Sequence, residues 1–516
     1  MFFVGINDGN VPKKSDSRSV LSESDREYLE DKGIVMSASV REKAFTQRFY
    51  LYLIMTKSAE KLYMSYAVKN SEGAALMPSY IIRSMRKMFS HCLKLSYKDT
   101  AQQNSYVTIP RATNSFDNTE IVANVDEDII DSLTGGRLVG SVTSFENFAE
   151  CPLRYYLRYG VDLKEREEFT FSPVNFGVVL HAVIREVCDE IKKNGESYYL
   201  ISEEKRREMV KRSVAAITDI YQNSILKDSS RNSFMIKRME DLADRTVWAM
   251  GEQLKCGDFV PFVFEHKFNM EVGDGDRKQL MSGTIDRVDI CENGTDVYVR
   301  IIDYKTGKKD FNIVKTYYGI DIQLMVYMEA AMKLVAKMRP GKNVIPAGVF
   351  YYNISDPIVS ATTESAEEIE DKIKGELRLK GMVNSDKDIA EKMDNTGGTS
   401  LNIPVSRKAD GGFDSRRSKV MNTEQFNMLG RFVDVRAVDT ADRIAGGDIR
   451  RSPYKDGQFS SCDRCPYGAV CGFSVDLPGC NYRKLKKFDD EVLWNNIKEG
   501  VDENGKKMDT GAEERD

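Results

Sequence analysis

At 516 residues the chain has room for two or three domains of the usual size, about 100–200 residues each. Hydrophobic residues make up 41% and charged residues 30%, and 75 basic against 80 acidic side chains leave a net charge of −5. That balance excludes a globally basic, histone-like binder of nucleic acid, though not a basic groove within an acidic average, and no apolar run reaches the roughly 18–20 residues that span a bilayer.

Met1-Phe2-Phe3-Val4-Gly5-Ile6 is too short for a signal h-region. The nine cysteines, an odd number spread through a long chain, argue against a disulfide framework. These features lead us to expect a cytoplasmic protein with no membrane association.

In chain order, Phe2–Ile6 reads as a buried strand ended by Asn7-Asp8-Gly9-Asn10, an opening that fits a fragment of something longer. An acidic helix follows around 22–31. Val40–Lys57 carries Phe45, Phe49, Tyr52 and Leu53 at helical spacing. Lys61–Tyr66 reads as a strand, and a helix holds Tyr80, Ile81, Met85 and Phe89. Residues 97–131 are polar and mixed, and mark a domain boundary.

A second unit opens at Ser141. Thr143 and Glu146 have capping-box spacing, with Phe145, Phe148, Leu153 and Tyr156 on one helix. Helices are predicted over 175–192 and through 202–256, where Trp248 is the expected core anchor. The period then changes to two: Phe262, Phe264, His266 and Phe268 alternate, and Val297–Lys305 is a near-continuous β run ended by Thr306-Gly307. Asp321–Met338 reads as helix, Gly348–Asn353 as strand, Glu364–Gly381 as a charged helix. Asp386–Arg417 reads as a mobile, Gly-rich insertion, Glu424–Gly446 as a helix, and the last twenty or so residues as a disordered charged tail.

The strongest chemical signal is Gly283-Thr-Ile-Asp286-Arg-Val-Asp289 followed by Ile301-Ile-Asp303-Tyr-Lys305-Thr-Gly307. On a strand, Asp303 and Lys305 point the same way, and Asp286 of the preceding strand can converge on them. Two carboxylates can hold Mg²⁺, which polarises a phosphate and activates water, while a lysine orients that water or offsets developing charge. Taken alone, Asp-x-Lys is more often a salt-bridged strand end. Its company favours chemistry: Gln323 and Tyr327 share a helix face, and His181, one of three histidines, sits on a helix whose other face is apolar, where it can serve as a ligand for an ion such as Mn²⁺.

In this order the pieces resemble the PD-(D/E)XK nuclease domains of the RecB family: Gly177 to His181, Gly283 to Asp289, Asp303 to Gly307, and Gln323 with Tyr327. The resemblance implies that His181, Asp286 and Asp303 bind Mg²⁺ (or Mn²⁺), that Lys305 is the catalytic lysine, and that Gln323 and Tyr327 line the site against DNA. Glu265 occupies the place of an additional acid.

A second signal is Cys462-Asp-Arg-Cys465-Pro-Tyr-Gly-Ala-Val-Cys471. Completed by Cys480 it reads as a zinc site; the competing fourth ligand is Cys151. A distant cysteine with a C-terminal C-x₂-C-x₅-C around a nuclease core is similar to the AddB/RexB subunits of bacterial helicase–nucleases. That implies a [4Fe–4S] cluster on Cys151, Cys462, Cys465 and Cys471, stapling the chain across 310 intervening residues.

Residues 1–140 look like the end of the helicase-like region of the same family, but the chain has no Gly-x-x-x-x-Gly-Lys-Ser/Thr loop for ATP. The expected fold is therefore α/β: a partial helicase-like (RecA-type) domain over 1–140, a PD-(D/E)XK nuclease with an iron–sulfur staple over 141–490, and a tail over 491–516. The implied function is metal-dependent DNA hydrolysis at broken ends, partnered by an AddA-type motor subunit, in recombinational repair. Alternatives are a stand-alone Cas4-like exonuclease, against which the long N-terminal region and helical insertions speak, and a DNA-binding scaffold with a dead site, against which Asp286, Asp303 and Lys305 speak.

Overall fold

A computed structural model describes all residues except 14–21, 35–38, 70–74, 90–123, 127, 131–138, 165–172, 221–229, 273–278, 360–364, 476–479 and 514–516. Leu21, Cys92 and most of the expected boundary at 97–131 lie outside the described residues. Two compact units emerge, residues 1–119 with 473–481, and residues 120–472 with 482–516. No helix among the described residues is long and apolar enough to cross a membrane.

The first unit runs β1 (Phe2–Phe3), α1 (Glu23–Asp31), α2 (Val40–Thr56), β2 (Tyr63–Met64) and α3 (Tyr80–Met88), with β1 and β2 paired in parallel. Ser39 and Glu42 form a reciprocal capping box that starts α2. Asn7 ties the opening turn to the chain after β2, donating to Ala67 O at 2.7 Å and accepting from Ala67 N at 3.1 Å. The apolar side of α2 stands open, with Phe45, Phe49 and Tyr52 each exposed.

In the second unit come β3 (Val139–Ser141), α4 (Val142–Glu150), α5 (Pro152–Tyr155), a π-helical turn (Tyr156–Gly160), α6 (Pro173–Lys193), α7 (Glu203–Ile220) and α8 (Ser230–Lys255). Next are β4 (Val260–Val272), β5 (Gln279–Asn293), β6 (Asp296–Lys305), α9 (Ile313–Tyr317), α10 (Gln323–Met338), β7 (Asn343–Asn353), α11 (Ala366–Glu376), β8 (Lys380–Asn384), α12 (Lys387–Met393), β9 (Val420–Met421) and α13 (Thr423–Ala445). The chain closes with β10 (Tyr454–Asp456), β11 (Phe459–Ser460), α14 (Gly468–Cys471), β12 (Arg483–Lys484) and α15 (Asp490–Glu513).

A mixed seven-stranded sheet, ordered β3-β5-β6-β7-β8-β9 with β4 also on β5, separates two cores. Alternation along β6 builds both: Tyr298, Ile302 and Tyr304 face α6, α7 and α8, whereas Val297, Val299 and Ile301 face α10 and α13. Asp303 and Lys305 continue the second row to the strand's end. The β6–α10–β7 crossover joins two parallel strands, so the start of α10 lies by the end of β6.

Several sequence expectations are corrected. Glu146 does not close a capping box with Thr143; Ser141 caps α4 through Ser144 N, and Glu146 is used elsewhere. The helix stops at Glu150, before Cys151-Pro152, because proline cannot donate to the ladder. Phe264 packs into one core and Phe262 and Phe268 into the other, since a register shift at Pro261/Val263 and a left-handed Glu265 (φ 47°) break the alternation. The charged helix ends at Glu376 and strand β8 begins at Lys380.

The 386–417 insertion is built around Asp394, fully buried and accepting from Thr396 N (2.8 Å), Ser400 Oγ (2.5 Å) and Asn402 Nδ2 (3.2 Å), with Ile403 and Val405 in the core. Residues 490–513 are helical, because Leu493 and Ile497, four apart, bury one face of α15 in the second core. Trp248 sits at the rim of the first core under Arg245 and Lys374.

Candidate active site and cysteine cluster

Three sheet elements and two helices bring the motif residues together. His181 Nδ1 from α6 lies 3.4 Å from Asp286 Oδ1 of β5 and 3.8 Å from Glu265 Oε1 of β4. One ligand atom from each of these three residues lies within 4.8 Å of the others. The backbone makes this possible at a cost: the left-handed φ of Glu265 is uncommon for a residue with a Cβ, and such strain tends to collect at functional positions. Asp286 is fixed by the Tyr304 amide, which donates to Oδ2 at 2.7 Å.

Asp303 is 2% exposed, and Lys305 Nζ lies 2.5 Å from its Oδ2. That contact is an ion pair without hydrogen-bond geometry, so Oδ2 keeps an unused lone pair in a buried place. Burial, then the charge of Asp286, pushes the Asp303 carboxyl up to about 6 against the pull of Lys305. Burial acts to lower the His181 pKa, but the hydrogen bonds and charges of Asp286 and Glu265 outweigh it and raise the imidazole to about 10. The Asp286 carboxylate acts in both shifts, raising Asp303 after burial and raising His181 against it. A histidine, buried carboxylates and an orphaned carboxylate oxygen suit a hard divalent cation.

Lys305 is held from a second side. Its Nζ donates to Gln323 Oε1 at 3.0 Å, and Gln323 Nε2 donates to Tyr327 Oη at 2.9 Å. Tyr327 stands edge-on to Phe268. Gly283 explains itself here: a Cβ would fall 2.7 Å from the Phe268 ring and 3.0 Å from Tyr327 Cε1. The remaining motif charges serve the opposite face. Arg287 and Arg300 both donate to Asp289, at 2.6–2.8 Å, and all three are buried under Phe259 and Tyr304.

Four residues at the site carried no sequence signal of a role there. Glu146 Oε1 accepts from the amides of Ile322 and Gln323, both at 3.0 Å, and so caps α10. Burial raises its carboxyl to about 7, opposed by Lys309. Lys309 Nζ pairs with Asp321 Oδ1 at 3.0 Å, and Tyr351 donates to the same oxygen at 2.7 Å. Lys309 also lies over the Tyr351 ring at 4.5 Å.

Away from these groups, Cys151 ends α4, Cys465 N donates to Cys462 O at 3.1 Å, and Cys471 ends α14. None of the eight described cysteines is in a disulfide. Burial raises the Cys462 thiol to about 11 against a hydrogen bond from Tyr482, with Cys151, Cys465 and Cys471 pushing it the same way as burial. The metal-ligand grouping among the described residues is that of His181, Glu265 and Asp286 and does not include these cysteines. The flanking segments are tied together: Arg483 donates to Ala149 O and Glu150 O, Leu153 N to Arg450 O at 3.3 Å, and Tyr467 Oη to Leu163 O at 2.9 Å.

Residues 140–472 match the PD-(D/E)XK nuclease superfamily. Similar curated proteins are named as the B subunits of ATP-dependent helicase/deoxyribonucleases. That of Lachnoclostridium phytofermentans is 31% identical over 100% of this chain and 48% of its own length. That of Clostridium acetobutylicum is 30% identical over 98% and 48%, and that of Thermoanaerobacter pseudethanolicus 29% over 99% and 49%. The chain thus spans about half the length of the curated relatives it matches. With the family matched across most of the sheet and both motif strands, the chain belongs to the PD-(D/E)XK nuclease superfamily.

Proposed function

We propose that this chain is the nuclease-bearing part of the B subunit of a helicase–deoxyribonuclease, that it hydrolyses DNA strands at double-strand ends, and that it works beside a motor subunit of the AddA type. The observation that carries the reading is the convergence of His181, Glu265 and Asp286, with the buried Asp303 beside them and Lys305 clamped between Asp303 and Gln323.

In this reading His181, Glu265, Asp286 and Asp303 hold Mg²⁺ or Mn²⁺. Once bound, the ion supplies Lewis acidity toward a phosphate and lowers the pKa of water. The chain's own groups do the rest. Lys305 presents an ammonium fixed from two sides, which orients the attacking water and offsets charge on the phosphate oxygens. Gln323 and Tyr327 fix that lysine and wall the site on the DNA side. Asp286 and Asp303, buried and close in charge, exclude a second anion until a cation is present.

What supports a second cofactor is the C-x₂-C-x₅-C spacing, with none of the four cysteines in a disulfide and Cys151 among the groups that act on the Cys462 thiol. We assign Cys151, Cys462, Cys465 and Cys471 to a [4Fe–4S] cluster that would hold the two ends of residues 141–490 together. Residues 1–140 are then a partial helicase-like domain without an ATP loop, and the isolated chain should show no ATP turnover. The proposed setting is recombinational repair in the cytoplasm.

The test is digestion of linear DNA by the full chain with Mg²⁺. Asp303→Asn and Lys305→Ala should each slow release of nucleotides by about 10²–10³-fold, the range for removing one charge-stabilising group, with unchanged melting of the fold. Wild-type rates in either variant would overturn the assignment.

A further inference from the structure

A second charged site shares no residue with the catalytic cluster. A cavity of about 200 Å³ is walled by Arg436 and Arg443 of α13, Arg450 just beyond it, and Arg483 of β12, over Ala149 and Pro152. Three of these guanidinium groups are locked in place. Arg443 and Arg450 both donate to Asp448 Oδ2, at 2.8 and 2.6 Å, and Arg483 donates to Ser452 O at 2.9 Å. Arg436 is different. It makes no hydrogen bond or ion pair with any described residue, and its Nε is buried without an acceptor. Only rings hold it, Tyr317 at 5.4 Å and Phe432 at 5.2 Å.

Four arginines therefore meet at a cavity whose own lining offers one carboxylate, Asp439, with Asp448 bound behind Arg443 and Arg450. Arg436 and Arg483 are half-buried and Arg450 is exposed, so the cluster is a solvent-reachable concentration of positive charge that draws an anion. Arg436, Tyr318 and Asp439 also line an adjoining cavity of about 930 Å³ with an aromatic wall. There Tyr317 stacks on Phe432 (5.3 Å, 6°), and the rings of Tyr318 and Phe488 lie nearly parallel at 6.4 Å.

We propose that the two cavities together form a nucleotide site, with a terminal phosphate among the four arginines and its base against the aromatic wall. Arginine forks match phosphate oxygens in pairs, and stacking on aromatic rings takes any base. Asp442 and Glu499, on the larger cavity, suit the exocyclic amines of a base better than a second phosphate. The smaller cavity is the more enclosed, which fits the end of a strand and not a backbone running through. The same chemistry comes from the phosphorylated end of a DNA strand or from a free deoxynucleoside monophosphate; the first source rests on the nuclease reading above.

The test uses the full chain carrying Asp303→Asn, without divalent ions, and labelled single-stranded oligonucleotides phosphorylated at the 5′ end, the 3′ end or neither. Fluorescence anisotropy should show one phosphorylated end bound at least tenfold more tightly than the hydroxyl end. Deoxynucleoside monophosphate should compete better than inorganic phosphate. Arg436→Ala should shrink the preference below twofold, and Arg436→Lys should keep part of it. Competition by monophosphates without any end preference would assign the site to free nucleotides. Equal binding of all ends with no competition, or a preference untouched by Arg436→Ala, overturns the proposal. Mg²⁺-dependent digestion by the unsubstituted chain is measured in parallel: digestion with neither end preference nor monophosphate competition retires this site alone, and end preference without digestion retires the nuclease reading alone.

Discussion

Glu146 and Gln323 meet across 177 positions of sequence, with one carboxylate oxygen of Glu146 accepting the Gln323 amide at 3.0 Å. Gln323 in turn accepts from Lys305 with its side chain. Glu146 lies on α4, the helix that ends at Cys151. A short rigid path therefore runs from the cysteine-bearing end of α4, through the capped start of α10, to the lysine beside Asp303.

Removing that cap should loosen Lys305. Glu146→Ala leaves two amides without their acceptor, a loss of about 0.5–2 kcal/mol by the measure of helix caps, and digestion should fall about tenfold or more, since small misplacements of a catalytic group are costly. Glu146→Gln keeps an acceptor oxygen and should retain most activity. The pair also differs from wild type in pH response. The Glu146 pKa rises from an ordinary 4.5 to about 7 on folding, so its share of stability is whole below 4.5 and is lost as pH rises through 7. Melting followed from pH 4.5 to 8 should show Glu146→Gln gaining on wild type as pH rises; a constant difference would contradict the assignment.

Metal binding should release protons. The imidazole of His181 is held protonated by Asp286 and Glu265 up to about pH 10, and a ligating imidazole must be neutral. At pH 7.5 each Mg²⁺ or Mn²⁺ bound should therefore free close to one proton, and affinity should climb with pH. Titration calorimetry in two buffers of different ionisation enthalpy reads this directly. His181→Ala should abolish the proton release and weaken binding, and a release unchanged in that variant would remove His181 from the ligand set.

What could be read in the sequence was local. Asp303 and Lys305 sit two apart on a strand, and Gln323 and Tyr327 four apart on a helix, so spacing alone put each pair on one face. His181 and Asp286 come from distant segments, and only the order of motifs linked them. Nothing in the sequence linked Glu146 to Gln323, because the capping-box spacing with Thr143 offered a nearer and wrong partner. The fold of 386–417 escaped a composition reading because one buried carboxylate, Asp394, gathers its polar groups. For α15 the overall charge hid the Leu493–Ile497 pair that docks it.

The cysteine assignment separates two metals by one residue. If the cluster needs Cys151, Cys151→Ser should lose iron, sulfide and the absorbance near 400 nm, and the domain should melt earlier. Cys480→Ser should keep all three. A zinc site completed by Cys480 reverses the pattern, with metal retained in Cys151→Ser and lost in Cys480→Ser. Metal analysis of anaerobically purified wild type and both variants decides between them.

Glu265 offers a test of strain separate from chemistry. Its φ of 47° puts Cβ in the region that glycine enters freely and other residues enter at a cost of about 1 kcal/mol or more. Glu265→Ala and Glu265→Gly both remove the carboxylate, so both should weaken metal binding and slow digestion alike. They differ in the backbone alone. If the ligand geometry is built by forcing Glu265 into this conformation, the glycine variant should be the more stable of the two, by about 1 kcal/mol in denaturant melts of the metal-free chain. Glycine also gains freedom in the unfolded chain, which works against this difference. An alanine variant at least as stable as the glycine variant would mean that the strand carries no strain there, and that the turn of Glu265 toward His181 is set by its ion pair instead.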